Sequence, residues 1–331
     1  MAPFSSPAAA RLHLTNRPNP SRILAVAEYG YSLRFTDPAF GVEWCRVAAD
    51  VCTDTLEPSI RGRVLGYFGN SLRVVGSYDD AREGLGRALE VLPGDPLLLE
   101  FKASLLRDLR HLDEASDCLR DASRIQRACG DVAGYARTLI NTAQVMDHAG
   151  KSQGAAELCL QALDILDSSL DPTRNLLRAA VQNYAAYICH AGEPLMALRA
   201  VRLAEPLFGG EEPYIQLRFE WLFGQIAAAL DDESTELRLE SVRQEFEKGG
   251  LFHEAALATL ELARYFVRRR DRRAAPTALS VAPLLEYLGI DRDAREAKLL
   301  GEIAKAGSNL EHLIAELYEA IIWRPAARQI I

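Results

Sequence analysis

Gly150-Lys151-Ser152 has the ending of a phosphate-binding loop, where backbone N–H groups and a lysine cradle a nucleotide's phosphates. That loop also needs a glycine five residues before Gly150, and Val145 stands there. Gly84-Leu85-Gly86 sits within a helical pattern with no strand before it, so it does not open a dinucleotide fold. There is no G-x-S-x-G elbow for a nucleophilic serine and no H-E-x-x-H pair for zinc. The six cysteines (45, 52, 118, 129, 159 and 189) form no C-x-x-C pair, and the histidines are scattered, so no clustered metal ligands emerge. Asp147-His148 and Cys189-His190 bring ligand types side by side. At helix ends, however, exposed histidines complement the macrodipole, and that is the role predicted for His148 and His190. Arg268 to Arg273 packs five arginines into six residues and reads as a solvated turn. The sequence therefore predicts a protein without catalytic machinery, cofactor or metal.

The 331-residue chain is 49% hydrophobic and 25% charged, values of a globular protein. No apolar run reaches the ~18 residues of a membrane span. With 46 acids against 38 bases the net charge is -8, which argues against charge-driven nucleic-acid binding. Most of the cysteines fall on apolar helix stripes and read as small core residues, consistent with a reducing, cytoplasmic setting.

From Ile23 to Ile322 apolar residues recur at helical spacing, with no sustained two-residue alternation. Gly62 to Asp95 shows a unit: Gly69 and Asn70, a turn glycine at Gly76, then Tyr78, Ala81, Ala88 and Pro93. Small residues recur at Ala115, Ala155, Ala197 and Ala275, with Gly150 and Gly192 at turns. The unit from Gly62 resembles a tetratricopeptide repeat, whose period is about 34 residues, and the later units resemble its longer, ~40-residue variety. The layout is similar to bacterial stand-alone proteins of that family. Leu65 and Leu72 depart from its usual Trp and Tyr.

The resemblance implies an all-α fold, a right-handed α-solenoid of helical hairpins capped at both ends. The expected organisation is a flexible tail over 1–21 and a single solenoid over 22–323. The solenoid comprises a degenerate hairpin (22–54), six repeats (about 60–288) and C-terminal capping helices (292–323). A tail follows over 324–331. The fifth repeat lacks the small-residue signature. Ser308-Asn309-Leu310-Glu311 is a capping box, and the helix it opens carries an apolar stripe able to cap the solenoid or self-associate.

The resemblance further implies that the first helix of each repeat lines a concave groove. Transferring its groove-facing positions yields Arg63, Asn70 and Arg73, then Glu100, Ser104, Arg107 and Asp108. The later units give Arg137, Gln144, Asp147 and His148, Gln182 and His190, Arg218 and Gln225, and Arg264 and Arg268. Seven arginines against three acids make this set +4 on an acidic body. Such a groove suits an acidic peptide or protein segment, unless the arginines pair with neighbouring acids, as Arg107 would with Glu100 or Asp108. The expectation is a non-catalytic interaction scaffold or adaptor. The alternative is a regulatory or sensor subunit controlling a separate effector.

Overall fold

The computed structural model describes residues 2–166, 174–208 and 213–306, which form sixteen α-helices and no strand. They are α1 (Pro7–Asn16), α2 (Pro20–Ser32), α3 (Pro38–Asp50), α4 (Pro58–Val74), α5 (Tyr78–Val91), α6 (Pro96–Asp108), α7 (Leu112–Cys129) and α8 (Val132–His148). The rest are α9 (Ser152–Ile165), α10 (Arg174–His190), α11 (Pro194–Phe208), α12 (Pro213–Ala229), α13 (Thr235–Lys248), α14 (Phe252–Arg268), α15 (Ala274–Tyr287) and α16 (Asp291–Ala306). Each helix packs on the next. From α2 to α16 every even-numbered helix also packs on the next even-numbered one, whereas from α3 onward the odd-numbered helices make no comparable contact with one another. The even helices are thus the inner layer of an α-solenoid and the odd helices its outer layer.

One turn chemistry repeats along the array. Inner helices end on a left-handed residue: Gly76, Arg110, Gly150, Gly192, Asp231 and Arg270, spaced by 34, 40, 42, 39 and 39 residues. The next residue's N–H donates back to the carbonyl five residues earlier, as from Ser77 to Leu72 and from Asp271 to Phe266. This bond satisfies carbonyls the helix end would otherwise orphan. Five residues after the turn stands a buried alanine in five units: Ala81, Ala115, Ala155, Ala197 and Ala275. In the fifth unit Thr235 takes that place, four residues after Asp231 and 0% exposed, with Leu239, Val242 and Phe246 continuing the buried stripe. The turn is one residue shorter there, which hides the signature from a fixed-spacing reading.

Residues 7–16 depart from the expected flexible tail. They form α1, whose Ala10 and Leu14 are fully buried beside Ile23, Trp44 and Val64. The prolines that suggested disorder occupy first-turn positions at Pro7 and Pro20, where the missing N–H costs nothing. Ser6 accepts a hydrogen bond from the Ala9 N–H, and Arg11 pairs with Asp50 at 2.7 Å. The expected final helix over 308–323, its self-association stripe and the tail over 324–331 lie outside the described residues.

The array curls until its first third meets its last. Phe35 stacks on Tyr214 with centroids 4.3 Å apart, and the Tyr78 hydroxyl lies 3.1 Å from His253 Nδ1. Arg110 donates to both oxygens of Asp293 at 2.9 and 2.7 Å, in a pair with side chains only 12% and 5% exposed. Val74 packs in one cluster with Val242, Phe246 and Leu251. At this seam Gly76 has φ +81°, and a Cβ there would come within 2.7 Å of Leu288.

Cys45, Cys159 and Cys189 are buried and, as burial disfavours the thiolate, each thiol is pushed up to about 12. Cys52 and Cys118 are half-buried, while Cys129 is exposed rather than a core residue.

Two checks follow. Gly192 has φ +95° with open space around it, so Gly192→Ala should cost about 1 kcal/mol from backbone strain alone. Gly76→Ala adds overpacking against Leu288 and should cost about 2–4 kcal/mol, read as midpoint shifts in urea unfolding. A thiol reagent at pH 8 should modify Cys129 in the native protein and reach Cys45, Cys159 and Cys189 only on unfolding.

Candidate functional site

The inner helices face one another across a cavity of about 190 Å³, to which α4, α6, α8, α10, α12 and α14 all contribute side chains. Ten of the seventeen groove residues read from the sequence line it: Arg73, Arg107, Asp108, Gln144, Asp147, His148, Gln182, His190, Arg218 and Gln225. The other seven stand around it. Arg264 and Arg268 border a smaller adjoining cavity of about 60 Å³ that shares His190, Gln225 and Glu261 with the main one.

Most of the arginines are not free to meet a ligand, because each finds an acceptor on an adjoining inner helix or its cap. Arg63 pairs with Asp95 at 2.8 Å, and Arg73 with Asp108. Arg107 bonds both Asp108 and Gln144. Glu100 is only 2% exposed and accepts from Arg137 Nε and Gln126 Nε2 at 2.6 Å, Thr138 Oγ1 at 2.9 Å and Asn141 Nδ2 at 3.2 Å. Ser104 donates to the Glu100 carbonyl at 2.9 Å. Asn70 is buried, its amide donating to the Tyr31 hydroxyl and its oxygen accepting from Arg73 Nε at 2.7 Å. Further along, Gln182 donates to the Arg218 carbonyl at 3.1 Å. Trp221 and Gln225 both donate to Glu261, at 2.9 and 2.7 Å, and Arg264 pairs with Glu296. The result is a ladder with a rung between every pair of successive inner helices from α4 to α16.

The expected +4 groove is thereby corrected. The main cavity is lined by four arginines (73, 107, 110, 218) and four carboxylates (Asp108, Asp147, Glu254, Glu261), with His148, His190 and His253. Partners such as Asp95, Glu261 and Glu296 come from one repeat further on and stand outside the set counted from the sequence. Among the described residues, Arg218 and Arg268 meet no carboxylate within ion-pair distance. Arg218 donates only to the Tyr214 hydroxyl, at 3.4 Å, and Arg268 to the Ala228 carbonyl, at 2.7 Å.

The histidines also differ from the expected exposed helix ends. The His190 side chain is 14% exposed, and its Nδ1 lies 3.0 Å from Asp147, which also accepts from Ser152 at 2.7 Å. The Ser152 hydroxyl is thus tied to the carboxylate and not to the imidazole, the reverse of what nucleophile activation requires. His148 Nδ1 is buried without a hydrogen-bond partner. Among the described residues no group of three or more His, Cys, Asp or Glu side chains could hold a metal, and no helix is long and apolar enough to cross a membrane. The five-arginine turn contributes Arg269–Asp231 and Arg273–Glu236 pairs on the surface.

Arg110, Asn183, His253 and Glu254 also line the cavity and were not read from the sequence. Arg110 sits past the end of its helix in the turn, and His253 and Glu254 arrive only because the array closes. Asn183 lies one residue past a groove-facing position, a signal too slight to single it out.

Burial alone would raise the Asp108 carboxyl, but Arg107 and Arg73 outweigh it and hold the group well below the usual carboxylate range. A folded-state value below the unfolded one means the stabilisation is complete above pH ~4 and is lost as pH falls from there towards the folded value. Asp108→Asn, which leaves two buried guanidiniums uncompensated, should cost about 3–5 kcal/mol at pH 7. The gap to wild type should narrow steadily below pH 4 in urea titrations, whereas a pH-independent gap would contradict this assignment.

No protein-family model matches the chain, and no curated protein does. Among solved structures it is similar to a crystal structure of Rap protein complexed with competence and sporulation factor. That likeness has a TM-score of 0.68 and 16% identity and covers 94% of this chain and 89% of that one. At that identity the likeness establishes the shared fold, a solenoid of tetratricopeptide-like helical hairpins.

Proposed function

We propose that this protein is a non-catalytic binding scaffold that takes a peptide or protein segment into its inner channel. The observation that carries the reading is the channel itself: six successive inner helices direct polar side chains into one shared space. The Rap protein of similar fold is described as complexed with competence and sporulation factor, which makes ligand capture by such an array a physically sound mode. With as many carboxylates as arginines in the lining, the channel suits a segment bearing a localised anionic group better than a long acidic run.

A regulatory or sensor role for the same site is favoured by one further observation. Arg110 and His253 belong both to the channel lining and to the closing seam, so a ligand touching them would bias closure. Differential affinity for the closed array is then the means by which occupancy would reach an effector on the outer surface.

Reversing Arg73 and Arg107 would test the fold as much as the site, since both neutralise buried Asp108. Ala186 lines the channel with a small, half-buried side chain, so Ala186→Trp should fill the space. Affinity capture from native lysate should recover a partner with wild type and lose it, about 10-fold or more, with Ala186→Trp at unchanged thermal stability. Equal recovery by the two proteins would remove the channel from the function.

A further inference from the structure

Resting on the channel as binding site, the chemistry of what it seats can be named. Among the described residues five buried side-chain polar atoms have no hydrogen-bond partner, and four of them belong to residues of this one cavity: Arg110 Nε, His148 Nδ1, Asn183 Nδ2 and Arg218 Nε. Native proteins leave few such atoms, because a buried donor stripped of water and unpaired is costly. Their concentration in one place is the mark of a site whose missing partner is supplied from outside.

Arg110 is already engaged by Asp293 through its other nitrogens. The remaining three stand on consecutive inner helices, His148 on α8, Asn183 on α10 and Arg218 on α12. Asn183 is 6% exposed. The bond from Gln182 to the Arg218 carbonyl ties α10 to α12 beside it. Asn183 Nδ2 and Arg218 Nε are donors, as is His148 Nδ1 in its Nδ1-protonated tautomer. Asp108, Asp147 and Glu261 already accept from protein donors, and Glu254, whose charge acts on Arg218, bonds none of these three nitrogens, so what they lack is an acceptor. A single backbone carbonyl supplies one neutral oxygen and leaves the guanidinium uncompensated. A phosphate dianion would set twice the charge of a carboxylate against Asp147, Glu254 and Glu261 in the same cavity. A carboxylate supplies two oxygens and one charge, matching three donors and one guanidinium. The cavity of about 190 Å³ admits a chain end or a side chain and no folded domain.

We propose that His148, Asn183 and Arg218 form a seat for one carboxylate of the bound peptide, either its C-terminal group or an aspartate or glutamate side chain.

The test uses the full chain and three randomised pentapeptide mixtures: free C-termini, amidated C-termini, and amidated C-termini with Asp and Glu excluded. Peptides co-eluting with the protein are identified by mass spectrometry and titrated individually. The expected result is retention from the first or second mixture and none from the third. Loss of the second mixture identifies the chain terminus as the source, and its retention identifies an acidic side chain. Arg218→Met and Asn183→Leu should each weaken the retained peptides about 10- to 100-fold. Each should also hold or raise the melting temperature, because each removes an unpaired buried donor. A merely structural arginine or asparagine would lower it. Retention of the third mixture overturns the seat, as do affinities within about 2-fold of wild type in both variants; in either case loss in Ala186→Trp leaves the channel reading standing. Binding indifferent to Ala186→Trp, or no peptide retained from any mixture, overturns the channel reading and the seat together.

Discussion

The inner helices pack on one another along the array, and that closeness buries polar side chains on their facing surfaces, each of which must find a partner. The nearest unoccupied partner lies on an adjoining inner helix or its cap, one repeat away along the chain. Arg63 with Asp95, Arg73 with Asp108, Arg137 with Glu100 and Arg264 with Glu296 are four solutions to this one constraint. Glu100 is its extreme form: a carboxylate 2% exposed that survives burial because four side chains donate to it. Removing one member of such a rung strands a charge in a low-dielectric interior, so the rungs fix the register between repeats even where their net contribution to stability is small.

Closure of the array follows from the same geometry. Inner helices that pack on one another while outer helices stay apart make a curved stack, and seven successive inner contacts bring α14 and α16 round to α4 and α6. The seam then reuses both kinds of interaction found inside the array, an apolar cluster around Val74 and a buried ion pair between Arg110 and Asp293. What remains in the middle is narrow, and its walls carry balanced charge because the ladder has already consumed most of the guanidiniums.

The repeat architecture was legible in the sequence wherever a turn required a left-handed residue and the chain supplied glycine, as at Gly76, Gly150 and Gly192. It was obscured where Asp231 took that conformation and a turn one residue shorter moved the small position to Thr235. The N-terminal helix was masked by prolines whose composition suggests disorder but whose positions, at the start of helices, do not. For the site, helical phase revealed which residues face inward, and ten of them line the cavity. Phase says nothing of which inward-facing arginine is already neutralised, since that depends on an acid more than thirty residues away. Nor does it reveal His253 or Glu254, which reach the channel only through closure.

The ladder also explains why the unpaired donors are informative. An array able to give buried Glu100 four donors and buried Asp108 two guanidiniums has the means to satisfy polar groups throughout its interior. Yet His148, Asn183 and Arg218, on three adjoining inner helices, each keep a buried nitrogen without an acceptor in the same cavity. Arg218 sits at the rung between α10 and α12, where the bond from Gln182 goes to its backbone carbonyl and no carboxylate arrives to meet its side chain. An apolar residue there would relieve the cost without disturbing that backbone rung. A sequence that satisfies nearly all its buried groups elsewhere, Trp44 Nε1 apart, and leaves these three open gathers its local frustration in one cavity, which is where a binding site is expected to carry it.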